Sequence, residues 1–489
     1  MERLKCAHDT LQVPPWQAHE ESDGGGVRVN DVHSQLNSTI VREIVRPERV
    51  DELKAAVASA RAAGTSVCIS GARHAMAGQQ FCADGLLIDM NSLNHVLHFN
   101  RERGIVDVEA GIDWVDLANY LIEVQRGEQD QWGIVQKQTG ADRLSLGGAV
   151  SANIHGRGLN FQPIVQDIES ITLMNGEGEL IECSRETRHE LFRLVVGGYG
   201  LFGIIYSVRL RLQRRQKVRR IARLLDLPEF IPAVYEQLSQ GCLYGDLQVV
   251  IDDASTQFLT HGIFSCYEPA PTDTVIPPDQ LYIPQAELEH LIYLAHIDKR
   301  TAFESYAEYY MASSGQVYWN DTHQFGFYPY DYHRGIDAKL GASGKGSEMI
   351  TELYVPRESL CDFMRDVAAD LKQHGDGVIY STIRLINRDE ESFLAWATQN
   401  FACIIFNLHI DHSPSGIELA SLKFRRLIDL AIRFGGSYYL TYHRFATREQ
   451  LLACYPQFPE FLSRKLKYDP AEHFQSDWYR HHVRLLREG

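Results

Sequence analysis

The sequence lacks closely spaced cysteine pairs. Its nine cysteines, Cys6, Cys68, Cys82, Cys183, Cys242, Cys266, Cys361, Cys403 and Cys454, are scattered and include no C-x-x-C. A chain of 489 residues buries enough core to need no disulfide scaffold, and this spacing gives no support for zinc or any other metal. No run of about 18 apolar residues exists to span a membrane, and Met1 to Gly26 holds no continuous apolar segment of the secretory kind. A cytoplasmic protein with reduced thiols is therefore expected. Positive charge is also short: 48 Lys+Arg stand against 64 Asp+Glu, a formal net charge of −16. Nucleic acid and anionic membranes are poor partners for such a chain. There is no G-x-S-x-G elbow to anchor an acyl-transfer triad. Gly344-Lys345 is not a P-loop, because Gly346 replaces the required Ser or Thr and no Gly stands five residues before Gly344.

What the chain does have is glycine in three places. The first is Ser70-Gly71-Ala72-Arg73-His74-Ala75-Met76-Ala77-Gly78-Gln79, between the apolar runs Val67–Ile69 and Leu86–Ile88, which read as buried strands. Gly71 and Gly78 permit tight turns, so backbone N–H groups there can surround an anion such as the pyrophosphate of a flavin. Arg73 and His74 lie mid-loop, and His74 is placed to bond to a flavin ring. The alternative is a surface turn with an incidental histidine. The second is Ser145-Leu146-Gly147-Gly148-Ala149-Val150-Ser151-Ala152-Asn153-Ile154-His155-Gly156-Arg157-Gly158, whose small residues suit a backbone lying flat against a ligand. His155 is the one group here able to exchange protons near neutral pH, unless it is a hydrogen-bonded core histidine. The third, Gly198 to Gly203, matches G-x-G-x-x-G. The residues that follow, Ile204 to Leu212, alternate as a strand instead of opening a helix, so a nicotinamide site is rejected. Those glycines, with Gly203 and Ile204, are read as lying beside the same flavin.

In chain order, residues 1–34 read as a polar segment with Gly24-Gly25-Gly26 as a flexible break. Pro47 to Gly64 reads as a helix, followed by strands at Ser66–Ile69, Leu86–Met90 and Ile105–Ala110 and a helix from Asp113 to Val124. Ile168–Met174 and Glu179–Cys183 flank Asn175-Gly176-Glu177-Gly178 as a hairpin. This order is α+β.

With these three motifs in this order, residues 40–214 resemble the vanillyl-alcohol oxidase / p-cresol methylhydroxylase superfamily of FAD-linked oxidoreductases. The resemblance implies a two-lobed PCMH-type FAD-binding domain over 35–214. An α+β substrate (cap) domain with an antiparallel sheet should follow over 215–429, and a C-terminal segment, 430–489, should return to the FAD domain. It implies FAD held by Ser70, Gly71, Ala72, Arg73, His74, Ala75, Gln79, Ser145, Gly147, Gly148, Ser151, Asn153, His155, Gly203, Ile204 and Tyr439, and joined covalently through its 8α-methyl group to His74. Among members, the second half is similar to decaprenylphosphoryl-ribose oxidase and to alditol and aldonolactone oxidases. The similarity rests on Glu352-Leu353-Tyr354-Val355-Pro356, Ile383-Arg384-Leu385, Gly435-Gly436-Ser437-Tyr438-Tyr439, and Lys467-Tyr468-Asp469-Pro470 with Phe474. The ribose-lipid oxidases usually carry tyrosine at His74, and lysine at both Tyr442 and Arg384. Cys403 aligns with a cysteine near their flavin.

The implied activity is hydride removal from a CH–OH group of a sugar-, polyol- or lactone-like small molecule, with O₂ or another acceptor reoxidising the flavin. Tyr442, His155 and Arg384 are the expected catalytic residues, with Tyr442 on a strand and its phenol lowered by Arg384 so that it acts as base. The alternatives are a flavin-dependent amine or C–C bond oxidase on the same fold and a flavin-free binding protein. The dense aromatics Tyr306, Tyr309, Tyr310, Tyr318, Trp319, Phe325, Phe327, Tyr328, Tyr330 and Tyr332 read as pocket lining or core. Gly341–Ser347 reads as a mobile loop or linker, and His481-His482 as solvent-exposed.

Overall fold

The computed structural model describes residue 17 and residues 20–326, 329, 331–375 and 377–488. Phe327, Tyr328 and Tyr330 of the aromatic run lie outside the described residues, as does Cys6.

Two lobes form the first half. In the smaller, the parallel strands Glu43–Val45 and Val67–Ser70 flank Leu86–Asp89. The helix Val50–Ala62 buries Leu53, Ala56, Val57 and Ala60 against them, the i, i+3, i+4, i+7 stripe of an amphipathic helix. The larger lobe is antiparallel, ordered Leu180–Ser184, Ile168–Met174, Ile204–Arg214, Ile105–Glu109 and Val96–Asn100. Asp113 caps the helix Trp114–Val124 by accepting from the Asp116 N–H.

The polar N-terminal segment is structured over its described part. Glu21–Asp23 and Gly26–Val29 pair with each other and then with Thr39–Val41. Gly24 and Gly25, at φ +57° and +118°, make the tight turn between the first two strands. The glycines thus serve a hairpin and not a flexible break, because glycine meets the positive φ of a two-residue turn without strain.

The second half is one antiparallel sheet of eight strands. Its order is Val317–Trp319, Lys217–Asp226, His261–Pro269, Tyr244–Val249, Val378–Ile386, Phe401–Asp411, Gly346–Pro356 and Ser437–Tyr438. Alternation splits its residues by face. Met349, Leu353 and Val355 are buried in the main core, on the side where the helices Leu360–His374 and Pro414–Arg433 pack, while Glu348, Ile350 and Glu352 turn to a cavity. The helices Gln285–Ile297, Lys299–Ala312 and His333–Leu340 contact the same sheet.

The helix Pro414–Arg433 runs across residue 430, and Ser437–Tyr438 still belongs to the eight-stranded sheet. Beyond these strands the chain lies on the first lobes. Phe474 bridges Val67, the Trp478 N–H donates to the Gly78 carbonyl at 3.3 Å, and Asp477 accepts from Thr39 Oγ1 at 2.8 Å. His482 is 3% exposed and sits 4.3 Å from the Trp478 ring, contrary to the solvent-exposed position expected from sequence. The helix Asp477–Arg487 turns this histidine inward, one turn from Trp478. Among the described residues no helix is long and apolar enough to cross a membrane.

Candidate active site

A cavity of about 470 Å³ lies between the glycine loops and the eight-stranded sheet. That volume is within the usual range of small-molecule sites. Ser70 to Ala75 form one wall with Gln79, and Ser145, Gly147, Gly148, Ser151 and His155 form the next. Gly203 and Tyr439 lie along it, and Arg384 and Tyr442 stand at the sheet.

The glycines of this wall answer to close packing. A Cβ on Gly71 would stand 2.0 Å from Ser145 Oγ, and one on Gly147 would stand 2.9 Å from the Ala110 Cβ and 3.0 Å from its carbonyl oxygen. No larger residue allows the two loops to approach so closely. Ser70 Oγ is buried here without a hydrogen-bond partner. A hydroxyl in that state fits a bound phosphate oxygen. Within the second stretch, Leu146–Ala152 is a short helix.

Two of the expected cofactor contacts turn away. Asn153 is the left-handed C-cap of that helix, at φ +48°. Its amide donates to Asp389 at 2.8 Å and to Ser392 at 3.2 Å, and its Oδ1 accepts from the Val165 N–H at 3.2 Å. It is fully buried and holds a distant loop. Ile204 packs in a core with Met174 and Phe474, and Ile205 lines the cavity in its place. The cause is a register shift: Ser207 pairs with Thr172 and Ile205 with Leu173, so Tyr206 is skipped and the alternation changes face.

Arg73 adopts a positive φ of +57° and is 2% exposed. Its guanidinium lies 2.7 Å from Glu20 and 3.5 Å from Asp89. His74 Nδ1 is 2.8 Å from His33 Nε2. Burial, opposed by Asp31 and assisted by His333, lowers His33 to about 4, so it is neutral at physiological pH. Gln79 donates to the carbonyls of Leu440 (3.2 Å) and Thr441 (2.9 Å), tying the first glycine loop to the turn that carries Tyr442.

At the sheet, His155 Nε2 is 2.7 Å from Glu352 Oε1. Tyr354 Oη at 2.6 Å and Cys403 Sγ at 3.0 Å converge on the same oxygen. Burial alone would raise the Glu352 carboxyl. The charge of His155 and these hydrogen bonds outweigh it, holding the group below the usual carboxylate range. Arg384 is 7% exposed, donates to Thr139 Oγ1, and keeps a buried Nε without a partner.

Tyr442 does not have the state expected of it. It lies in a turn after the last strand, and its phenol is pushed well above the ordinary value by burial, with Glu352 acting in the same direction and Arg384 opposing. Its phenol keeps its proton at physiological pH, because desolvation in this enclosed position exceeds what one guanidinium returns. Tyr439 donates to the Ala152 carbonyl at 2.6 Å and packs edge-on to Tyr442 at 5.4 Å. Glu352 is the residue that sequence reasoning did not assign to the chemistry. Its strand offered only a period-2 pattern, which does not say which face meets a ligand.

Residues 41–184 match a model described as FAD binding domain. The chain is similar to L-gulonolactone oxidase of Mus musculus, 22% identical over 456 residues, covering 88% of this chain and 93% of the relative. The same enzyme of Bos taurus is 21% identical over 462 residues, covering 88% and 92%. Cytokinin dehydrogenase 3 of Oryza sativa subsp. japonica is 31% identical over 167 residues, covering 33% and 30%. The chain carries an FAD binding domain and is similar over most of its length to PCMH-type FAD-linked oxidoreductases. For this FAD-linked oxidoreductase the cradle of Ser70, Gly71, Ser145, Gly147 and Gly148 fits the dinucleotide, and the sheet side of the cavity is left for a substrate.

Proposed function

We propose that this oxidoreductase removes hydride from a CH–OH carbon of a sugar-, polyol- or lactone-like substrate, with O₂ or another acceptor as the final oxidant. The observation that carries the reading is one continuous cavity joining the glycine cradle to a buried carboxylate, Glu352, and a buried guanidinium, Arg384. Similarity to the two L-gulonolactone oxidases over most of their length supports the substrate class.

Bound FAD supplies the hydride acceptor. The protein's own groups manage the hydroxyl. Tyr442, neutral, donates a hydrogen bond that orients it, and Arg384 stabilises the negative charge developing on its oxygen. The His155–Glu352 pair takes the proton as the C–H bond breaks, leaving a carbonyl product. His74 is the covalent anchor of the cofactor in this reading. The adjacent His33 supports that role, since a neutral imidazole at 2.8 Å is able to accept a hydrogen bond from His74 and so orient its ring.

Anaerobic mixing of the purified yellow protein with a panel of aldonolactones, polyols, sugars, phenolic alcohols and amines tests the substrate class. Bleaching of the flavin by lactones, polyols or sugars is expected. Bleaching by an amine with none by any hydroxylated compound would overturn the reading.

A further inference from the structure

Glu348 lies on the same strand face as Ile350 and Glu352 and lines the same cavity, and three imidazoles converge on it. His296 Nε2 is 3.0 Å and His409 Nδ1 is 3.4 Å from Oε1, while His333 Nδ1 is 2.7 Å from Oε2. Tyr332 Oη also donates to Oε2. The side chain of Glu348 is 3% exposed, that of His296 6% and that of His409 32%. The hydride and proton chemistry proposed above uses none of these groups.

The geometry sorts them into two sets. Donor atoms of His296, Glu348 and His409 all lie within 4.8 Å of one another. With metal bonds of about 2.1 Å, the edge of a coordination tetrahedron is about 3.4 Å, close to the two separations on Oε1. His333 and Tyr332 hold the other carboxylate oxygen, which is how outer partners fix a ligating carboxylate. Two imidazoles and one carboxylate are a donor set for Zn²⁺, Co²⁺ or Ni²⁺ and a poor one for Mg²⁺ or Ca²⁺. Three protein ligands leave one position open, the arrangement of reactive and not purely structural zinc sites. We propose that His296, Glu348 and His409 bind one divalent transition-metal ion of the Zn²⁺ class at the cavity wall, with its remaining position open to water or a substrate hydroxyl. The ligands come from the helix Gln285–Ile297 and the strands Gly346–Pro356 and Phe401–Asp411, so the ion also pins that helix to the sheet.

A second trio, His155, Glu352 and Cys403, has similar spacing. It would place sulfur on the ion, and this separates the two in one measurement. Flavin-loaded protein is dialysed against a chelator and then against Zn²⁺, and bound zinc is counted and examined by X-ray absorption. One equivalent with a shell of nitrogen and oxygen only is expected. His296→Gln/His409→Gln should weaken binding at least about a hundredfold. Tyr332→Phe, which frees the carboxylate oxygen it holds, should weaken it about tenfold, and Cys403→Ser should leave it unchanged. Failure of the wild type to bind zinc, sulfur in its shell, or equal binding by the folded double variant would each overturn the proposal. The wild-type shell stands as a test even where a variant fails to fold.

Discussion

His155 Nε2 and Glu352 Oε1 stand 2.7 Å apart with their side chains 3% and 1% exposed. A buried carboxylate at a cavity wall costs desolvation that hydrophobic residues of similar size would avoid, and here three hydrogen-bonding side chains offset it. In the reaction proposed above, this carboxylate, with His155, Arg384 and Tyr442, handles the substrate proton at the sheet.

Glu352→Gln keeps the shape of that pair and removes its charge. Flavin reduction by substrate should slow by roughly 10²–10⁴-fold, the range of a lost acid–base group, with the flavin spectrum unchanged. Stopped-flow reduction under anaerobic conditions measures it. His155→Ala should cost a similar factor, and the double variant should cost less than the product of the two, because the pair acts as a unit. A change under about threefold in either single variant would remove the pair from the chemistry.

Tyr442→Phe should lower the reduction rate at least about tenfold by removing the hydrogen bond that orients the substrate. Because burial pushes the phenol up, its loss should leave the pH profile of reduction unchanged between neutral pH and pH 9 or so. Disappearance of an alkaline limb in the variant would instead make Tyr442 the base.

The His74 linkage is read by acid precipitation. Yellow colour should stay with the wild-type pellet and leave with the supernatant for His74→Ala. His33→Ala should reduce the covalently held fraction severalfold while total flavin in the native protein stays near one equivalent, since His33 orients the ring that bonds and does not itself hold the cofactor. Fully released flavin from the wild type would defeat the linkage and leave the oxidation chemistry standing.

Burial lowers His443 to about 3, and burial, with the charge of His481 next in weight, lowers His482 to about 3. The unfolded chain takes up a proton at each near the ordinary value of about 6.5. Both therefore destabilise the fold progressively as the pH falls below 6.5, and neither affects stability above it. The slope is on the order of 1 kcal/mol per pH unit for each group. His443 stacks on Tyr438 and Phe445, so His443→Phe keeps an aromatic ring there. Between pH 6.5 and 4.5 the variant should lose less of its melting temperature than the wild type. Parallel curves would show that His443 does not titrate on unfolding.

Much of the scaffold was legible because it depends on neighbours in sequence. The strand after Gly203 was readable from alternation, and the hairpin around Asn175–Gly178 from its turn. The misreadings share a cause. Tyr206 is skipped where Ile204–Arg214 pairs with its neighbour, and this sends Ile205 and not Ile204 to the cavity. Asn153 turned inward to Asp389, 236 residues away. Tyr442 was assigned a lowered phenol because Arg384 was legible as a charge, while the enclosure around Tyr442 was not.

The sequence by itself determined where glycines permit close backbone approach, which residues alternate, and which histidine sits inside the first loop. These are local properties of chain geometry, complete within a few residues. Only the tertiary structure decided that Glu352 meets His155 across 197 positions and that His33 meets His74 across 41. It also brought His296 and His409 onto Glu348 from 52 and 61 positions away. No short spacing encodes these meetings. They arise because loops and a helix remote in sequence pack onto an antiparallel sheet that presents alternate side chains on one face, or, for His33 and His74, onto each other, where burial then sets their charge.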